Sequence, residues 1–89
     1  MLHIEKTYSD RYFNTFTVDG LSVKEMNEIL DARHEGKDQR DVLVDVMGRH
    51  ENDSSYGNNI AEGWRNGYGI YSIRHVGQHL FVEVGNNCD

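Results

Sequence analysis

Three sets of side chains in this sequence are of types and spacings that could do chemistry. The first is a series of carboxylates. Glu28, Asp31 and Glu35 recur every three or four residues, and Asp38, Asp41 and Asp45 do the same further on. On helices that spacing lines acids up along one face. A rigid row of carboxylates can imitate a phosphate backbone and occupy a groove built for nucleic acid. From Ser22 to Asp53 there are nine acids and five bases, so this segment holds −4 of the formal charge of −6. The interspersed Lys24, Arg33, Lys37 and Arg40 argue for the plainer alternative, a solvated helix face laced by ion pairs four residues apart.

The second set is the histidines. His75 and His79 read as H-x-x-x-H, a spacing that places two metal ligands side by side in a helix. They flank Gly77-Gln78, however, and the register set by that turn puts them on opposite faces of a hairpin. With one cysteine and no C-x-x-C, no metal site and no cofactor is expected.

The third set lies on that hairpin. Tyr68–Gly85 (YGIYSIRHVGQHLFVEVG) holds two β-branched and aromatic runs around Gly77-Gln78, a type II′ turn signal. A two-residue turn fixes the register. Val76 then faces His79, Arg74 faces Phe81, Ile73 faces Val82, Ser72 faces Glu83 and Tyr71 faces Val84. One face carries Tyr71, Ile73, Leu80, Val82 and Val84 and requires a cover. The other carries Ser72, Arg74, Val76, His79, Phe81 and Glu83. Glu83, His79 and Arg74 are the types a small ribonuclease would use as base, acid and phosphate clamp. Phe81 lies between His79 and Glu83 on the same face, which interrupts that arrangement. Phe81 ringed by polar groups has instead the makeup of an interface anchor. A solvated cross-strand polar face explains the remaining residues without a site.

The elements that position these residues follow from the chain in order. Leu2–Thr7 is expected to be an edge strand and Tyr12–Val18 a second strand, with Ser9-Asp10 turning between them. Tyr12, Phe16 and Val18 share one face of the second strand. Ser22 and Glu25 form a capping box, with Leu21 and Met26 at the staple positions. A helix therefore runs from Val23 to about Glu35, with a stripe of Val23, Met26, Ile29, Leu30 and Arg33, and Gly36 ends it. Residues 38–47 carry both a helical stripe (Val42, Leu43, Val46, Met47) behind an Asp38 cap and a strand-like alternation. The helix is preferred, and Gly48 ends it. Arg49–Asn59 is a polar loop. Asn66-Gly67 signals a type I′ turn that would set Trp64 over Gly69 in a second hairpin. The competing assignment for Asn59–Trp64 is a single helical turn. Both bury Trp64.

The expected fold is α+β, one small domain over residues 1–89. An antiparallel sheet with a C-terminal β-hairpin or meander is packed by one or two helices. The N-terminus has no apolar h-region and no segment is long enough to cross a membrane. Cys88 alone makes no internal disulfide and suits a reducing compartment, so a cytoplasmic protein is expected. The acidic balance disfavours direct nucleic-acid binding. The expected function is a non-enzymatic binding protein, an accessory or inhibitor of phage or plasmid type with an anti-defence role. Its partner is a protein, with one that itself binds nucleic acid as the version that uses the acidic helices. The alternatives are the small ribonuclease or hydrolase and a self-associating structural subunit, so the chain would be a monomer or a homodimer.

Overall fold

A computed structural model describes residues 1–56 and 60–86 of the chain. Cys88 and the Asn58–Asn59 end of the polar loop lie outside the described residues. The fold is α+β. Strands β1 (His3–Ser9) and β2 (Phe13–Asp19) precede helices α1 (Val23–Leu30), α2 (Gln39–Gly48) and α3 (Ile60–Asn66), and strands β3 (Ile70–Val76) and β4 (His79–Gly85) close the chain. The four strands form one antiparallel sheet in the order β1-β2-β4-β3. Among the described residues no helix is long and apolar enough to cross a membrane.

The hairpin register holds from Val76↔His79 to Ser72↔Glu83. Gly77 has φ +58 and Gln78 does not have a positive φ, so the turn is type II′ rather than I′. Beyond Ser72 the expectation fails. A bulge lets Ile70, not Tyr71, pair with Val84. Ile70 is buried, and Tyr71 is exposed on the opposite face. A one-residue insertion flips the side chain because strand side chains alternate.

Leu80, Val82 and Val84 of β4 form the middle of the covered face. Val18 and Phe16 flank them from β2, and Ile73 and Ile70 from β3. Leu21, Met26, Ile29, Leu43, Val46, Met47, Ala61 and Trp64 close over them to make one core. Three helices, not one or two, supply this cover. The Asn66-Gly67 hairpin does not form. Ile60–Asn66 is helical, and Gly69 donates its N–H to the Trp64 carbonyl instead of lying under the ring. Trp64 is buried against Phe16, with ring centroids 4.8 Å apart. Its indole Nε1 is buried with no acceptor among the described residues.

The capping box at Ser22 and Glu25 is complete, with both reciprocal bonds made. The helix it starts stops at Leu30, short of Glu35, and residues 31–36 continue as turns up to Gly36. Helical periodicity therefore overshoots. Val23 and Arg33, assigned to the apolar stripe, are both exposed, and Ala32 is buried in their place. Asp38 caps α2, whose Leu43, Val46 and Met47 are buried as the helical alternative required. Tyr12 lies outside β2 and is exposed, so it does not join Phe16 and Val18.

Leu80 touches the core from the central strand, so Leu80→Ala is expected to cost about 2–5 kcal/mol. Gly77→Val meets no neighbouring atom but must hold the positive φ, at about 1–2 kcal/mol. Denaturant unfolding followed by the fluorescence of the single tryptophan reads both.

Candidate functional site

All three helices lie on one side of the sheet, and the other side has no covering element among the described residues. The side chains there are set by register. His3, Glu5 and Tyr8 come from β1, Phe13, Thr15, Thr17 and Asp19 from β2, and His79, Phe81 and Glu83 from β4. β3 adds Ser72, Arg74 and Val76. The six residues singled out on the hairpin are therefore brought together on one open face. Arg74, Val76 and His79 are exposed, and Ser72, Phe81 and Glu83 are half-buried. Phe81 sits between Thr17 and Arg74 in the ladder, so its ring is fenced by a hydroxyl-bearing strand and a guanidinium.

Two features of this face escaped the sequence. The first is an aromatic corner. Gly85 has no side chain, and a Cβ there would lie 2.7 Å from the Tyr68 carbonyl oxygen and 3.0 Å from the Tyr71 ring. Tyr71, released to this face by the bulge, lies over Gly85 and meets Phe13 edge-on, with centroids 4.8 Å apart and planes at 87°. An aromatic over a strand glycine does pin the register here, but it is Tyr71 over Gly85, not Trp64 over Gly69. The signal was present as an aromatic one residue before Ser72 with a glycine two residues after Glu83. What was missing was the knowledge that β2 pairs with β4. The second feature is a hydrogen bond between His79 Nδ1 and the Asp19 carboxylate, joining β4 to β2.

That pairing bears on the hydrolytic alternative. His79 is engaged by Asp19, not by Glu83 or Arg74. His79 and Glu83 are four residues apart on a strand, about 13 Å at ~3.3 Å per residue. A base and an acid acting on one group must both lie within hydrogen-bond reach of it. Arg74 has no ion-pair partner among the described residues. Those residues also contain no group of three or more His, Cys, Asp or Glu side chains able to hold a metal ion.

The acidic residues form a second candidate surface. Glu28, Glu35, Asp38, Asp41 and Asp45 line one open depression of about 430 Å³ between α1 and α2, and Asp31 lies on an adjoining one. Most of this charge is answered locally. Arg49 forks onto both Glu28 oxygens at 3.1 and 2.9 Å and reaches Asp45 at 3.0 Å. Arg40 holds Asp38 at 3.0 Å, Arg65 holds Asp41 at 2.7 Å, and Lys37 lies 3.6 Å from Glu35. Arg49 pulls the Glu28 carboxyl below its usual range, and Arg40 does the same to Asp38. Asp31 alone of the six has no ion pair among the described residues.

Beside this depression, His50 Nε2 lies 2.8 Å from Glu25 Oε2 in a half-buried contact. Burial is the largest single influence on Glu25 and raises its pKa. The bonds from Ser22 and His50 together outweigh it and hold the carboxyl below its usual value.

No family model matches this chain, and no curated protein or solved structure shows significant similarity to it.

Two outcomes follow from this geometry. Gly85→Ala forces Tyr71 or the Tyr68 backbone aside and should cost about 1–3 kcal/mol, with the Tyr71 ring resonances shifting in an NMR spectrum. Glu25 has a depressed folded-state pKa, so its contribution is complete above the unfolded value and is lost as pH falls through the folded one. Glu25→Gln should therefore cost about 1 kcal/mol at neutral pH. The deficit should close below the carboxylate range, as read by urea unfolding across pH.

Proposed function

We propose that this chain is a non-enzymatic binding protein that acts by occupying a surface of another protein, as an accessory or an inhibitor. The observation that carries this reading is the uncovered face of the sheet. The helices cover Leu80, Val82 and Val84 and their neighbours on one side of the sheet, yet the other side keeps Phe81, Val76 and the Phe13–Tyr71 pair among Arg74, His79 and Glu83. Apolar and aromatic groups ringed by charge on a rigid sheet are the anatomy of an interface, where a few anchors carry most of the binding energy. The separation of His79 from Glu83, and the capture of His79 by Asp19, weigh against the ribonuclease or hydrolase alternative.

Mimicry of a nucleic-acid backbone by the acidic helices is the second reading. Five carboxylates on one depression favour it. Four bases bonded into the same surface weaken it, because a mimic needs a field that its own side chains do not cancel.

A photo-crosslinking amino acid at position 81, compared with one at position 45, tests the choice in cells of the source organism. The binding-face reading expects one dominant protein adduct from position 81 and none from position 45. Adducts confined to position 45 would favour the acidic helices, and a dimer of the chain from position 81 would favour self-association.

A further inference from the structure

The two edges of the sheet are treated differently. At the β1 edge, the loop after α2 closes over the backbone. Leu2 donates its N–H to the Asp53 carbonyl at 2.8 Å, and Ser55 donates its own to Leu2 at 2.9 Å. Ser55 Oγ also accepts from the Ile4 N–H at 2.8 Å and donates to the Ile4 carbonyl at 3.1 Å. A bulge between Lys6 and Tyr8 then bends the rest of that edge. The β3 edge has no such cover. Among the described residues, no hydrogen bond from outside the sheet reaches the backbone of Ile70–Val76. In an antiparallel ladder every second residue turns its N–H and C=O away from its neighbour, so β3 presents a row of unused donors and acceptors.

Basic side chains gather at this same edge. A groove of about 340 Å³ runs between Ile70–Ile73 and the segment joining α1 to α2, lined there by Arg33, Lys37, Asp38 and Arg40. That volume lies in the range of ligand clefts. Arg74 stands on β3 itself, on the other face. Four of the nine Lys and Arg residues thus flank one strand of a chain whose formal charge is −6. Asp38 is bonded to Arg40 and caps α2, while Arg33, like Arg74, has no ion-pair partner among the described residues. One uncommitted guanidinium therefore lies on each side of the open edge.

The geometry points to β3 as a docking edge for an extended acidic peptide segment, which adds to the sheet as a fifth strand. Its backbone takes the unused β3 groups, and its alternating side chains fall to the two faces, where Arg33 with Lys37 and Arg40 meets one set and Arg74 the other. A second copy of this chain is the poorer occupant. β3 reads IYSIRHV and contains no acid, so two β3 strands side by side leave both Arg74 residues unanswered. A nucleic-acid strand would match the bases but not the backbone donors and acceptors. The inference rests on the binding-protein reading for its class of ligand and uses a different surface.

Fluorescence anisotropy tests it, with labelled peptides of seven residues to match the length of β3. The probe is Glu-Val-Glu-Glu-Val-Glu-Glu. One control replaces each Glu by Lys and another each Val by Pro, which removes backbone donors. The Glu/Val probe should bind saturably, both controls should fail, and Arg33→Glu should weaken binding by about tenfold or more. Arg33 is exposed and has no ion-pair partner among the described residues, so the variant should keep the wild-type thermal unfolding curve. Absence of probe binding, equal binding of the proline peptide, displacement by a thymidine oligonucleotide, or an unaffected Arg33→Glu would each overturn the inference. The crosslink at position 81 reports on the open face and this assay on the edge, so failure of one is told apart from failure of the other.

Discussion

The structure depends on the register of β4. This strand is central, with β2 on one side and β3 on the other, and its alternation of Leu80, Val82 and Val84 with His79, Phe81 and Glu83 fixes which side of the sheet is core. A slip of one residue would put three buried aliphatics in water and Phe81 and Glu83 under the helices. Two devices hold the register at opposite ends. The Gly77 turn sets it at one, and Tyr71 over Gly85 against Phe13 locks it at the other. Between them, the pairing of His79 with Asp19 ties β4 to β2.

With the register set, one side of the sheet becomes a foundation and the other a display. Most of the helices' exposed charge is spent on itself. Arg49, Arg40 and Arg65 each hold a carboxylate, but such surface pairs contribute little stability. Their effect here is to flatten the field on the helical side. Arg74 on the open face and Arg33 at the β3 edge have no ion-pair partner among the described residues. The loop over the start of β1 adds to this asymmetry, because it bonds the backbone of Leu2 and Ile4 at one edge of the sheet, while the β3 edge has no such contact among the described residues.

How much of this was legible in the sequence depended on the range of the interaction. Local signals were sufficient where the deciding contacts lie within a few residues. The Ser22–Glu25 box, the Asp38 cap and the Gly77-Gln78 turn are of this kind. So are the faces of β4, because alternation over a rigid strand needs no partner to be read. Signals failed where a distant neighbour decided. Tyr71 was misplaced because the bulge is driven by room over Gly85 and by Phe13, which lies far back in the chain. Asn66-Gly67 carried a hairpin signal, yet Ile60, Ala61 and Trp64 gain more by packing as a helical turn on α2 and Phe16. Helix α1 stopped early because Ala32, not Arg33, turns into the core. At the candidate site, the six hairpin residues were placed on one face by alternation alone. Asp19, Phe13 and Tyr71 were missed because their membership depends on the strand order β2-β4-β3. Helical spacing placed the acids in rows, but it did not reveal that Glu28 pairs with Arg49 and Asp41 with Arg65, since those partners lie far along the chain.

β4 is locked between its neighbours, while among the described residues no hydrogen bond from outside the sheet reaches the outer edge of β3. Residue-resolved amide hydrogen exchange on the free protein tests it most directly. Slow exchange is expected throughout β4, with an alternating pattern along β3 in which amides bonded to β4 are protected and those facing outward exchange quickly. Uniform protection along Ile70–Val76 would contradict it by showing the edge already covered. Rapid exchange in β4 would contradict it by showing that the register is not held.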